Sequence, residues 1–175
     1  MHTMRVLMLF LLIAVPLRAQ VIRVGVDVPR EQVSLWRGIR FGAEEAKHTA
    51  KLLGRDFELV TGPAATTIHG PVVIITANGK TFRISPREKA AWHPSLKKFG
   101  AGELNERFLR ETKHPMDEAA WLGWVAVKIA AEAALRGQDI GKIKIDGHKG
   151  VPLKFDAAGN LIQPLYVVKR GALIE

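Results

Sequence analysis

Apolar and polar positions follow two different rhythms along this chain. Val21 to Val28 is an apolar run that contains Gly25 and ends in Asp27-Val28-Pro29. Its density of β-branched residues predicts a buried strand, the first of a parallel sheet. From Ser34 to Leu53 the rhythm turns helical, with Ile39, Ala43, Ala46, Ala50 and Leu53 recurring at spacings of four and three. Ser34 is the expected N-cap and Gly54 the expected stop. Gly38, Gly42 and Ala43 would let this helix lie close on a sheet. Phe57 to Val60 is the next expected strand, so the opening segment reads as one βαβ unit with a right-handed crossover.

Further on, Val72 to Thr76 is strongly β in character. Asn78-Gly79 and then Thr81 to Ile84 follow it, which signals a hairpin. Residues 85–101 read as irregular and basic. Glu103 to Thr112 is an expected helix with Leu104, Phe108 and Leu109 as its apolar face. A longer helix is expected from Asp117 to Arg136, where Ala120, Trp124, Val127, Ala131 and Ala134 repeat the four-three spacing. Asp117 can cap it and Gly137 can end it. The tail, residues 150–168, reads as two strands around the turn Asp156-Ala157-Ala158-Gly159-Asn160. The fold class expected is α/β: a single small domain with a mostly parallel sheet flanked by helices.

The N-terminus reads as a secretory signal. Arg5 is the positive end, Val6 to Val15 the apolar run, and Leu17-Arg18-Ala19 offers a cut before Gln20. The rival reading is an uncleaved anchor, but this run as a helix reaches only ~15 Å, about half a bilayer core. The expected organisation is a signal peptide over residues 1–19 and one domain over 20–175. The chain has no Cys, which excludes disulfides, thiolate metal sites and a lipid-modified Cys. Its formal charge of +9 comes from basic residues mostly interleaved with acids, as in Arg37, Arg40, Glu44, Glu45 and Lys47. That pattern describes a solvated surface rather than a nucleic-acid footprint.

Catalytic signatures are missing. There is no nucleophile elbow, phosphate-binding Walker loop, zinc-protease His pair or dinucleotide glycine motif. His48, His69, His93, His114 and His148 are not paired at helical spacing, so no metal site is expected from sequence. Glu44-Glu45 and Asp117-Glu118 are adjacent carboxylates. Neighbours on a helix diverge by about 100°, so neither pair is a matched acid and base. Of the four tryptophans, Trp124 lies on the alanine stripe and is expected in the core, where Trp121 could share its face. Trp92 sits in a loop before His93-Pro94, where an aromatic can either anchor packing or wall a ligand pocket.

Several stretches resemble the type I periplasmic solute-binding proteins, the branched-chain amino-acid-binding type that serves ABC importers. They are Val21 to Val26, Trp36 to Glu45, Leu52 to Val60, Ala119 to Gly137 and Gly150 to Asn160. Trp92-His93-Pro94-Ser95-Leu96, Phe99-Gly100-Ala101, Leu104 to Phe108, Pro115-Met116-Asp117, Ala120 to Lys128 and Gly147 to Pro152 narrow the likeness. In this order they resemble the substrate-binding proteins associated with PQQ-dependent alcohol catabolism. The resemblance spans residues 21–62 and 90–169. It implies a reduced type I periplasmic binding fold, because such proteins are longer and hold the ligand between two lobes.

The implied function is that of a non-catalytic, periplasmic, solute-binding-like protein of an ABC transporter system. Its ligand wall would comprise Asp27, Pro29 and Arg30 after the first strand, with Trp92 and His93 before the helical half. No cofactor is implied. The implied partners are a small-molecule ligand or an ABC permease, a PQQ-dependent dehydrogenase system and a homodimer, but not nucleic acid. The competing expectations are an interaction or accessory protein that has lost small-molecule binding, and a metal- or cofactor-handling factor that uses the loop histidines.

Overall fold

The computed structural model describes residues 21–62, 72–76, 89–169 and 171–174. The expected signal segment and the Asn78-Gly79 hairpin lie outside these residues. The chain opens with β1 (Val21–Asp27), α1 (Val33–Leu52), β2 (Asp56–Thr61) and β3 (Val72–Thr76). These strands form a parallel sheet in the order β2-β1-β3, with Val24 aligned to Leu59 on one side and to Val73 on the other.

One face of this sheet builds the first core. Ile22, Val24 and Val26 alternate inward, while Arg23 and Asp27 point to solvent on the other face. Val24 and Val26 pack with Ile39, Ala43 and Ala46 of α1. They also meet Val127, Ala130 and Ala131 of α3 (Glu118–Arg136). Each fully buried aliphatic side chain here stabilises the fold by about 1.5–3 kcal/mol.

The two helices run parallel: Ser34 reaches Asp117 at one end and Arg55 reaches the Leu135 carbonyl at the other. The expected close approach of Gly38 and Gly42 is real, but its partner is α3 rather than the sheet. A Cβ on Gly38 would overlap the Ala120 carbonyl, and one on Gly42 would lie 3.0 Å from the Trp124 carbonyl. Gly123 reciprocates, because a Cβ there would overlap the Leu35 carbonyl.

The helix ends follow their sequence signals with one exception. Gly54 (φ 68°) and Gly137 (φ 61°) are left-handed and close their helices. Arg55 N–H donates to the Ala50 carbonyl and Gln138 N–H to the Ala133 carbonyl, the paired pattern of a glycine-terminated helix. Asp117 caps α3 by accepting from the Ala120 N–H at 2.8 Å. Ser34 does not cap α1, which begins at Gln32 without a side-chain cap. At the other end, Leu53 is exposed rather than part of the buried stripe.

The second core lies on the opposite side of α3. It includes α2 (Ala101–Thr112), whose Leu104 and Phe108 are buried while Leu109 is exposed. Trp92 stacks on Trp121 with centroids 5.5 Å apart and planes 7° from parallel. Phe41 meets Phe108 edge to face at 5.2 Å.

The later strands correct the expectation of a mostly parallel sheet. β4 (Lys89–Ala90), β8 (Tyr166–Lys169) and β9 (Ala172–Ile174) form an antiparallel sheet. So do β5 (Ile145–Asp146), β6 (Pro152–Phe155) and β7 (Leu161–Ile162). The turns between most of these strands are too short for a parallel crossover, so the chain doubles back on itself. The Asp156 turn joins β6 and β7, as its residues imply. Asp156 accepts from the Asn160 side-chain amide and from the backbone N–H groups of Asn160 and Ala158, which hold its carboxyl below the ordinary range.

Candidate functional site

The carboxyl end of β1 is the first place to look for a site. β2 and β3 flank β1 on opposite sides, so the chain order reverses between β1 and β3. Open parallel sheets form a crevice at such a reversal, outside the carboxyl ends of the strands. Asp27 is the last residue of β1 and aligns with Thr76, the last of β3. Asp27, Pro29 and Arg30 are all exposed, while Val28 between them is buried and anchors the loop. The Pro29 carbonyl accepts from the Gln32 N–H at 3.2 Å and from the Trp36 indole at 3.1 Å. The loop is therefore tethered at its back, with the Asp27 and Arg30 side chains outward.

The second group of candidate residues behaves differently. Trp92 is 1% exposed. Its ring is stacked on Trp121 and its indole N–H donates to Asn105 Oδ1 at 2.9 Å. Trp92 is thus a packing anchor, and the expectation that it walls a ligand pocket is corrected. Asn105 completes the arrangement by donating to the Pro94 and Leu96 carbonyls at 3.0 and 3.1 Å. His93 is half-buried and ties loops together, with Nδ1 2.7 Å from Ser95 Oγ and Nε2 3.1 Å from the Gly171 carbonyl.

The two groups do approach the same end of α3. Asp117 accepts from Ser34 Oγ at 2.6 Å, and its neighbour Glu118 accepts from the Ala91 N–H at 2.5 Å. The divergence of these adjacent carboxylates is what lets each hold a different segment. It positions backbone near backbone, yet no side chain of Trp92 or His93 is brought against Asp27, Pro29 or Arg30 by any hydrogen bond or ring contact among the described residues.

Lys149 is the residue that sequence reasoning missed. It is 4% exposed. Its ammonium donates to the Ala91 carbonyl, to Gln163 Oε1 at 2.7 Å and to the Pro164 carbonyl at 2.9 Å. It also lies 4.1 Å from the Trp121 ring centroid and 5.3 Å from that of Tyr166. Burial lowers its pKa from 10.5 to about 7, and the Glu118 carboxylate pulls it part of the way back. Its sequence sign is the bracketing of His148 and Lys149 by Gly147 and Gly150, and in the fold His148 (φ 58°) and Gly150 (φ 77°) are both left-handed. Lys149 and Glu118 together grip the Ala91 peptide from both sides and so fix Trp92, which follows it.

A groove of about 490 Å³ lies between α1, α2, α3 and the His148 turn. At its floor Glu45 accepts from the Trp124 indole at 2.7 Å and pairs with Arg107 at 2.7 Å. None of Asp27, Pro29, Arg30, Trp92 and His93 lines it. Among the described residues no three His, Asp or Glu side chains cluster as metal ligands, and no helix is long and apolar enough to cross a membrane. No family model, curated protein or solved structure matches this chain.

Proposed function

We propose that this chain is a non-catalytic, periplasmic solute-binding-like module of the type I binding fold. It serves an ABC importer and takes a small polar solute at the crevice between β1 and β3. The observation that carries this reading is the reversal of strand order beside the exposed, tethered loop of Asp27, Pro29 and Arg30. A carboxylate and a guanidinium on one rigid loop can take opposite ends of a zwitterion or hydrogen-bond a hydroxyl-bearing solute. The resemblance of the second half of the chain to binding proteins of PQQ-linked alcohol catabolism makes alcohols, aldehydes and their acids the first solutes to try.

The test is a thermal-shift panel of alcohols, aldehydes, short acids, amino acids and PQQ on protein recovered after export. A ligand at a hundredfold excess over Kd stabilises by ~2.7 kcal/mol. The shift should disappear in Asp27→Asn/Arg30→Ala. A second reading, an interaction protein without small-molecule binding, is favoured by the burial of Trp92 and by the half-exposed Arg23–Glu58 pair on the far face of the sheet. Absence of any shift, together with a stable dimer in solution, would select that second reading.

A further inference from the structure

The loop Lys97–Ala101 and the turn Gly147–Val151 interlock through four left-handed residues. Phe99 (φ 56°) and Gly100 (φ 82°) lie on the first, His148 (φ 58°) and Gly150 (φ 77°) on the second. A Cβ on Gly150 would lie 2.9 Å from three atoms of the Phe99 ring, so the ring rests on the glycine backbone. Phe99 is nonetheless 65% exposed. A phenylalanine held left-handed costs about 1 kcal/mol or more, with no side-chain hydrogen bond to offset it. Backbone strain at an exposed aromatic residue is a reason to look for a role beyond packing.

Phe99 shares a recess of about 370 Å³ with Lys144, Asp146, Val151 and Pro152. Val151 is 50% exposed. The neighbouring sheet supplies the charge. Ile145 pairs with Leu153 and both point inward, so the same register sets the exposed Lys144 opposite the exposed Lys154. Lys154 in turn pairs with the exposed Ile162. Like charges directly opposite on a sheet destabilise it, and no ion pair to either lysine occurs among the described residues. Asp146 is the one carboxylate of the recess, and its Oδ1 is occupied by the His148 N–H at 2.8 Å.

We propose that this surface docks onto an anionic phospholipid bilayer. Phe99, Val151 and Ile162 reach the headgroup boundary while Lys144 and Lys154 meet the phosphates. Apolar tips ringed by lysines are the chemistry of an interfacial surface, and the lipid charge relieves the opposition of the two lysines. The proposal is independent of solute binding at β1 and β3.

The experiment is co-sedimentation of exported protein with phosphatidylcholine vesicles, with and without phosphatidylglycerol. The protein should sediment with the anionic vesicles alone. Each lysine near such a surface contributes about fivefold, so Lys144→Glu/Lys154→Glu should weaken partition by at least thirtyfold. Phe99→Asn, which accepts the left-handed backbone, should weaken it severalfold without lowering the melting temperature. Sedimentation that ignores lipid charge, or persists in the double lysine variant, overturns the proposal. So does release of the bound protein by soluble polyglutamate, which would identify an acidic protein partner, or by inorganic phosphate, which would identify a small-anion site, where sodium chloride of the same ionic strength releases none.

Discussion

The core around β1 is built from Val24, Val26, Ile39, Ala43 and the bare backbones of Gly38, Gly42 and Gly123. The core around Trp92 is built from stacked rings and from side chains that hydrogen-bond, chiefly Asn105, Glu118 and Lys149. α3 serves both, presenting Val127, Ala130 and Ala131 to the first and Trp121, Trp124 and Val125 to the second. The first core depends on what is absent from its contact, because two helices touch through their main chains. The second depends on what is present, because the Trp92 and Trp124 indoles, Asn105 and Lys149 each have an assigned partner, and only the Trp121 ring is held by stacking without a partner for its N–H among the described residues. The first should therefore fail when an atom is added, and the second when one is removed.

Adding an atom is the harsher test. Gly38→Ala places a methyl group into the Ala120 carbonyl, which cannot rotate away as a side chain could. The helices must separate, and we expect a loss of about 4 kcal/mol or more by urea denaturation. Gly54→Ala on the same helix meets open space and carries only the left-handed backbone penalty, about 1 kcal/mol. Equal losses for the two would show that the helix contact is not the limiting feature of the first core.

Removing a ring tests the second core. Trp92→Ala deletes the stack on Trp121 and strips Asn105 of its indole donor. The expected loss is about 3–4 kcal/mol. Trp92→Phe keeps most of the burial and loses only the indole hydrogen bond, for about 1–2 kcal/mol. Neither substitution should alter a thermal shift that depends on Asp27 and Arg30, since Trp92 faces inward.

The same contrast explains what could be read from the sequence. Periodicity located α1, α2 and α3 to within two residues, because burial of a helical stripe imposes it. The glycines of α1 were recognised as a close approach, but a glycine does not say whether helix or sheet comes near. Trp92 was ambiguous because loop aromatics have no periodic partner in sequence; Trp121 and Asn105 reach it only through the fold. Lys149 leaves no sign beyond its glycine-bracketed turn, for a stronger reason. Its acceptors are backbone carbonyls of Ala91 and Pro164 and the amide of Gln163, and carbonyls leave no mark in a sequence. At the β1 loop the strand order supplied what spacing could not, the point beside Asp27 where the order of the sheet reverses.

Lys149 gives the second core a pH dependence that the first lacks. Its folded pKa, about 7, lies below its ordinary 10.5. Between those values the unfolded chain holds a proton that the folded chain does not. Stability should therefore climb as pH rises from about 7 toward 10, at up to about 1.4 kcal/mol per pH unit, and level off below 7. Tyr166, whose pKa burial raises, reverses the trend only above pH 10, so melts between pH 7 and 9.5 isolate the lysine. Lys149→Met should remove the slope while leaving the carbonyls without a donor, for a net loss of about 2–3 kcal/mol at pH 9. A variant that keeps the slope would place its origin elsewhere.

The smallest effect tests whether the two cores are coupled at all. Asp117 caps α3 and accepts from Ser34 Oγ, and Ser34 lies four residues beyond Arg30 of the β1 loop. Asp117→Ala removes both bonds and should cost about 1–2 kcal/mol. Ser34→Ala removes one exposed hydrogen bond and should cost about 0.5 kcal/mol. If the pair acts as a staple between the β1 loop and α3, the double variant should lose less than the sum of the single ones. Hydrogen exchange should then quicken at Gln32 to Leu35 in both single variants. Strict additivity with unchanged exchange would mean that α3 joins the cores through its packed faces alone, and that the hydroxyl–carboxylate contact follows from that packing rather than enforcing it.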